Sequence, residues 1–432
     1  MQSSFYFKKN ESLLKSFQQS YIFTVLIISS AAFVVYTCMY GFRKPFTVGS
    51  YNHQLFLGIN YKVCLVIAQV IGYMISKFYG IQFIGKIAPH RRAITLIYCI
   101  LLAWLTLFLF AIVPSPYNII FMFLNGLPLG IVFGLVFGYL EGRRTTEIMG
   151  AFLVTSFIFA SGLAKTLGKW MIIDLQVSDW WMPFLTGSIF IIPFLFAVWI
   201  LDHSPKPTEK DIAQRTARKP ISRKEQLEII KKFKNVLIPI VISYAVFTIV
   251  RDFIEDFANE FWIENGYADK VGIFAQTSTL VSIIVLIIIA LFFLFKSNYT
   301  AFKWIHILVL VGLSLLLGAT FLYNIQVIDS FTWMVMATTG LYFSYLPFNC
   351  LYFERFIAVY KINGNVGFVM YIADAFGYLG TVLVLLIKEL LPIHYQWNTF
   401  FTSIFYSAGI IGIILITFTF IIHRKKLKNH YV

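Results

Sequence analysis

Apolar residues in this chain gather into blocks of roughly 20, the length at which a helix crosses a ~30 Å hydrocarbon core at about 1.5 Å of rise per residue. No other feature constrains the fold so tightly. Lipid cannot hydrogen-bond a backbone, so blocks that cross it must be helical. Twelve such blocks are read, at 21–44, 61–80, 93–113, 118–140, 148–173, 180–201, 236–262, 270–295, 301–323, 331–352, 365–388 and 398–422. A soluble core of 432 residues would need more than 13% charged residues to cover its surface. The expected fold class is therefore an all-α membrane protein with twelve transmembrane helices.

The net charge of +15 invites a nucleic-acid reading, but its distribution points to a membrane instead. Lys and Arg gather in alternate connections: Lys8, Lys9 and Lys15; Lys86, Arg91 and Arg92; Arg143 and Arg144; the stretch 206–234; Lys296 and Lys303; Arg355 and Lys361; and 424–428. The intervening loops are nearly bare. By the positive-inside rule both termini are expected in the cytoplasm, and an even number of spans agrees. The expected location is a bacterial plasma (inner) membrane. Cys38, Cys64, Cys99 and Cys350 all fall within spans, so no disulfide framework or zinc spacing is present. The block 21–44 is too long for a signal-peptide core and reads as a retained first helix. No metal, cofactor or nucleic-acid partner is expected, and the chain reads as a monomer. Neither His-Glu-x-x-His, Gly-x-Ser-x-Gly nor a catalytically spaced Asp pair occurs, which argues against an enzyme.

One long polar stretch, 202–235, interrupts the spans and divides them six to six. It reads as a solvated basic linker between an N-terminal bundle (1–201) and a C-terminal bundle (236–432). Ser222-Arg-Lys-Glu225 has the capping-box pattern and predicts a short basic helix there. Transporter folds are often duplicated halves with a site between them. The opening spans of the two halves do share a pattern, Tyr36-x6-Arg43 and Tyr244-x6-Arg251. A spacing of seven is two helical turns, so Tyr and Arg share one face in each.

An ionisable group at the centre of a span costs at least ~2.5–3.5 kcal/mol and needs a partner or an aqueous cavity. The groups in question are Arg43, Lys44, Lys77, Lys165, Lys169, Arg251, Asp252, Glu255, Asp256, Glu260 and Asp374. Arg251 and Glu255 are four apart, so a local ion pair is one reading of that cluster; contact with a solute is the other. Lys169 reads as snorkelling to the outer rim, whereas Lys165, one turn deeper, reads equally as a cavity group. Glu354 and Arg355 sit at a cytoplasmic helix end and read as gating or anchoring charges. Arg43, Lys77 and Arg251 form the coherent set: three cations from spans 1, 2 and 7 able to converge on an anion, Arg offering a planar two-bond fork. Arg43 nevertheless lies 22 residues past Tyr21, about 33 Å along the axis, which by itself puts it near the outer face. Tyr36, Tyr40, Tyr244, Tyr345 and Tyr378 lie near charges or helix breaks. Each reads equally as cavity lining or as an interhelical hydrogen bond.

These residues resemble the organophosphate:phosphate antiporters of the major facilitator superfamily. Arg43-Lys44-Pro45-Phe46 is similar to the Arg-Lys-x-Phe that ends the family's first helix, and Ser76-Lys77-Phe78 to its Ser-Lys-Phe in helix 2. Arg251 with Asp256 resembles the helix 7 Arg-x4-Asp, Tyr345-Leu-Pro347 a Tyr-x-Pro in helix 10, and Gly377-Tyr-Leu-Gly380 a Gly-Tyr-Leu-Gly in helix 11. The resemblance implies the major facilitator fold of two six-helix bundles, with Arg43 and Arg251 as phosphate ligands and Lys77 facing the cavity. Two features depart from the family: the acid usual after the helix 2–3 loop Gly is missing beyond Gly80, and Ser161 with Lys165 stands where the antiporters carry a helix 5 His.

The expectation is a secondary transporter of a small anionic solute, exchanged for phosphate or moved with protons, with substrate contacts from Arg43, Lys77, Arg251, Tyr36, Tyr40, Tyr244, Lys165, Tyr345 and Tyr378. Asp252, Glu255, Asp256 and Asp374 are the coupling or ion-pair candidates. Two alternatives stand beside it. One is a proton-coupled symporter of a non-phosphorylated solute that works through those acids; the other is a transporter-like sensor without flux.

Overall fold

The computed structural model describes residues 21–51, 54–84, 87–143, 145–205, 207, 211, 223–360, 362, 367–390 and 396–428. Lys8, Lys9, Lys15, Lys86, Arg144, Lys361, Ser222 and most of 206–222 lie outside the described residues. The chain is built of helices α1 (Tyr21–Gly41), α2 (Tyr61–Ile84), α3 (Arg92–Ile112), α4 (Ile119–Leu129), α5 (Val132–Leu140), α6 (Thr146–Ile173) and α7 (Met182–Asp202) in its first half. The second half holds α8 (Arg223–Glu264), α9 (Ile273–Leu291), α10 (Asn298–Asn324), α11 (Ser330–Cys350), α12 (Tyr352–Tyr360), α13 (Gly367–Leu390) and α14 (Trp397–Lys428). Together α4 and α5 make the fourth span, interrupted just after Pro128, whose ring removes a donor and crowds the preceding turn. The short α12 extends the tenth span.

Among the described residues, ten spans are apolar enough to cross a membrane on length and composition alone. The other two of the twelve are α11 and α13, which are long enough at 21 and 24 residues. Hydrophobicity is demanded only of a surface that meets lipid. In α11 every residue from Ala337 to Phe348 is buried, so hydroxyls of Thr338, Thr339, Tyr342, Ser344 and Tyr345 can replace aliphatic groups there.

The two halves repeat one packing scheme. In the first, α1 packs on α6 and α7, and α3 on α4 and α7; in the second, α8 packs on α13 and α14, and α10 on α11 and α14. Between the halves, α2 meets α13, and α6 meets α9 and α11. The basic stretch from Arg223 to Asn235 does not form a separate short helix. It continues without a break into the seventh span, giving a single helix of 42 residues, about 63 Å long.

The helix ends carrying Arg91, Arg92, Arg143, Lys296, Arg355 and Arg424 share one side of the molecule, called here the basic face. On the opposite face, α1 gives way to a buried 3-10 turn, Pro45–Val48, and then a hairpin of β1 (Leu55–Phe56) and β2 (Ile59–Asn60). Its turn takes Leu57 and Gly58 through positive φ (54° and 81°), the twist that a two-residue hairpin favours. Asp179 fixes the approach, accepting from the Ser50 and Tyr51 amides at 2.8 and 2.6 Å. Burial and the Asp179 carboxylate raise the Tyr51 phenol well above its usual pKa.

Candidate functional site

Arg43 lies two residues beyond α1, its amide still bonded to the Tyr40 carbonyl. Its guanidinium carbon sits 3.9 Å from the centre of the Tyr73 ring and 5.8 Å from that of Tyr40. Tyr73 is 12 residues into α2, about 18 Å in from the opposite face. The side chain therefore folds back towards the middle of the membrane, which resolves the axial distance without a longer helix. The Arg43 carbonyl accepts from Gln69 Nε2 at 3.0 Å, and Gln69 also donates to Asn125 at 2.8 Å. Among the described residues no carboxylate pairs with Arg43, and its buried Nε has no hydrogen-bond partner.

The second arginine is held differently. Arg251 bonds Asp252 through Nε and Nη2, at 3.1 and 2.6 Å, and donates to the Tyr345 hydroxyl. Thr381 donates to the other Asp252 oxygen at 3.0 Å. Lys77 reaches across the halves to Asp374 at 3.0 Å, and Tyr244 donates to the same carboxylate at 2.6 Å. Tyr244 and Tyr345 hydroxyls are 3.1 Å apart, so one chain of contacts runs from Lys77 to Thr381. The two guanidinium groups do not touch. Tyr73 and Tyr378, edge to face with centroids 5.3 Å apart, stand between them.

Tyr36, Tyr40, Arg43, Lys77, Arg251, Tyr345, Asp374 and Tyr378 thus line one cavity, joined by Tyr73, Phe133, Phe157 and Asn349. Its free volume is about 10 Å³, room for one water. Tyr244 sits one layer behind, touching the cavity through Asp374. Lys165, Glu255 and Asp256 lie elsewhere, between this cavity and the opposite face. There Lys44 pairs with Asp256, Lys62 with Glu260, and Lys165 with Glu255 at 3.6 Å, each pair joining one half to the other.

These partners differ from those that sequence spacing suggests. Arg251 pairs with its neighbour Asp252 rather than with Glu255 one turn on. Glu255 instead accepts from Ser161 and Tyr342 as well as facing Lys165. Lys169 does not snorkel: it is 5% exposed, with Nζ 3.5 Å from Asn259 and 5.4 Å from the Phe274 ring centre. On the basic face, Arg355 bonds Glu147 across the halves at 2.8 Å and also Asn298.

Tyr73 lines the cavity, Gln69 and Thr381 bond Arg43 and Asp252 beside it, and Tyr342 bonds Glu255 outside it; neither charge nor motif marks these four in the sequence. For the first two a signal existed. Gln69, Tyr73 and Lys77 recur every four residues, a polar stripe on one face of an otherwise apolar span. Asp374, Tyr378 and Thr381 form a similar stripe on α13.

A family model with the description "Family of unknown function (DUF5690)" matches residues 45–426. No curated protein matches the sequence. Among solved structures, a D-xylose-proton symporter is similar with a TM-score of 0.62 and 13% identity, covering 93% of this chain and 97% of its own. The nucleoside transporter NupG is similar at 0.56 and 16%, covering 91% and 98%. The chain has the major facilitator fold that these transporters share.

Proposed function

The chain belongs to the family of unknown function DUF5690, and we propose that it is a secondary transporter of a small anionic solute, working by alternating access between its two six-helix halves. Both termini are read as cytoplasmic, from the charge bias of the connections. The observation that carries the solute class is Arg43. The cavity gathers three cations, Arg43, Lys77 and Arg251; Asp374 balances the second and Asp252 the third, leaving Arg43 uncompensated among the described residues. A buried, unpaired guanidinium costs several kcal/mol unless a counter-charge arrives. An anionic group on the solute supplies it. A single negative charge balances the site as it stands, whereas an organophosphate dianion also needs Asp252 or Asp374 protonated or displaced.

That requirement supports a second reading, in which proton coupling runs through Asp374. It lines the central cavity and is held jointly by a cation of the first half and a tyrosine of the second, so protonating it would weaken its hold on Lys77 and loosen the contact between halves.

The test is uptake into proteoliposomes after a thermal-shift screen of monocarboxylates, inorganic phosphate, sugar phosphates and neutral sugars, since a ligand of the native state raises its stability. An anion that stabilises the native chain but not Arg43→Ala is the expected result. Stabilisation by neutral sugars alone, unaffected by Arg43→Ala, would refute the anionic reading. A protonophore separates the coupling schemes, because it abolishes proton symport and spares anion exchange. Binding without flux would make the chain a sensor.

A further inference from the structure

A second pocket lies far from the central cavity, at the basic face between α10 and α14. It encloses about 320 Å³, within the ~300–1,000 Å³ range of small-molecule sites. Tyr299, Lys303, His306, His423 and Arg424 line it with Phe302, Ile307 and Phe420, and no carboxylate is among those residues. The two histidines are engaged except at the buried His306 Nε2, which has no hydrogen-bond partner among the described residues. His306 Nδ1 donates to the Phe302 carbonyl at 2.9 Å, and both ring nitrogens of His423 meet tyrosine hydroxyls, those of Tyr352 and Tyr360. The exposed cations Lys303 and Arg424 form no ion pair with any described carboxylate.

Depth and surroundings say which anion fits. Lys303 is five residues into α10, about 8 Å from its start, and Arg424 is 27 residues along α14, about 40 Å from its outer end. Against a ~30 Å hydrocarbon core both belong at headgroup level. Trp304 and Tyr299, 46% and 42% exposed, add the aromatic ring typical of that level. Towards the membrane centre the same two helices present exposed Val311, Ile414, Phe418 and Ile421, an apolar wall against which an acyl chain can lie. A soluble anion would use the cations but not this wall.

We infer that this pocket is a binding site for an anionic phospholipid of the basic-face leaflet, its phosphodiester held by Lys303 and Arg424 and one acyl chain laid along α10 and α14. The site is independent of the transport reading. To test it, the purified chain is delipidated in detergent and returned to phosphatidylglycerol, phosphatidylcholine, or inorganic phosphate. Its melting temperature is followed and retained lipid counted by native mass spectrometry. Phosphatidylglycerol should raise the melting temperature by several degrees and remain bound, and the other two should do neither. Lys303→Ala with Arg424→Ala should remove both effects, whereas Lys231→Ala with Lys234→Ala, exposed lysines on α8, should leave them intact. Equal stabilisation by phosphatidylcholine, an equal effect of inorganic phosphate, or equal loss in the α8 variant would each overturn the proposal. The lipid comparison on the unaltered chain decides the matter even if a variant folds poorly.

Discussion

Arg43 and Arg251 share a sequence pattern yet differ in their electrostatic state, and the difference has consequences that can be measured. Arg251 is neutralised by the adjacent Asp252, whereas Arg43 rests on the Tyr73 ring and has no ion-pair partner among the described residues. Loss of a charge-assisted, two-bond contact is worth about 1.5–3 kcal/mol, so Arg43→Ala should weaken binding of the anionic solute by roughly 10- to 100-fold. Arg43→Lys should retain part of it, because a point charge replaces the fork. Isothermal titration on the purified variants reads both. For Lys77 and Asp374 the expected effect is on stability. Asp374→Asn removes the counter-charge of a buried ammonium, a loss of about 3–5 kcal/mol, and the added change Lys77→Met should restore much of the melting temperature. A single variant as stable as the parent would show that the pair contributes nothing to folding.

Elements approach one another closely where side chains are absent. Gly312 on α10 and Gly340 on α11 face each other so closely that a β-carbon on either would collide with the other's carbonyl. In lipid such contacts replace the hydrophobic effect as the force between helices. Gly340→Leu should therefore lower the melting temperature, by overpacking worth about 1–3 kcal/mol or more. Gly318→Leu, on α10 where an added β-carbon meets nothing, should leave it unchanged. The same scale explains why α11 lacks the hydropathy of a span. Buried along an unbroken run, it is chosen by what it offers the interior.

Across the whole molecule, described residues tie the halves together on both sides of the central cavity. Three ion pairs tie the halves together between the central cavity and the opposite face, while among the described residues the Arg355–Glu147 pair does so on the basic face. A cavity with room for one water admits no solute until one side parts. Arg355→Gln should favour opening of the basic face, and Lys44→Met with Asp256→Asn the opposite face. With Asn349→Cys as a probe in a chain stripped of its four native cysteines, labelling from the basic face should rise in the first variant and fall in the second. Identical labelling in both would deny these pairs any part in the balance.

The spans and the asymmetry of the connections were decided by the sequence alone, because both follow from how short segments partition between water and lipid. That holds for 94–110 as for 308–322, whatever their neighbours. Within a span, helical spacing also put Tyr36 with Tyr40 and Gln69 with Lys77 on shared faces. Partnership across helices was decided only by the tertiary structure. That Asp374 answers Lys77 and that Glu255 turns to Ser161 and Lys165 depends on the rotation and axial offset of whole helices. Periodicity fixes the face of a helix and leaves open which other face it meets.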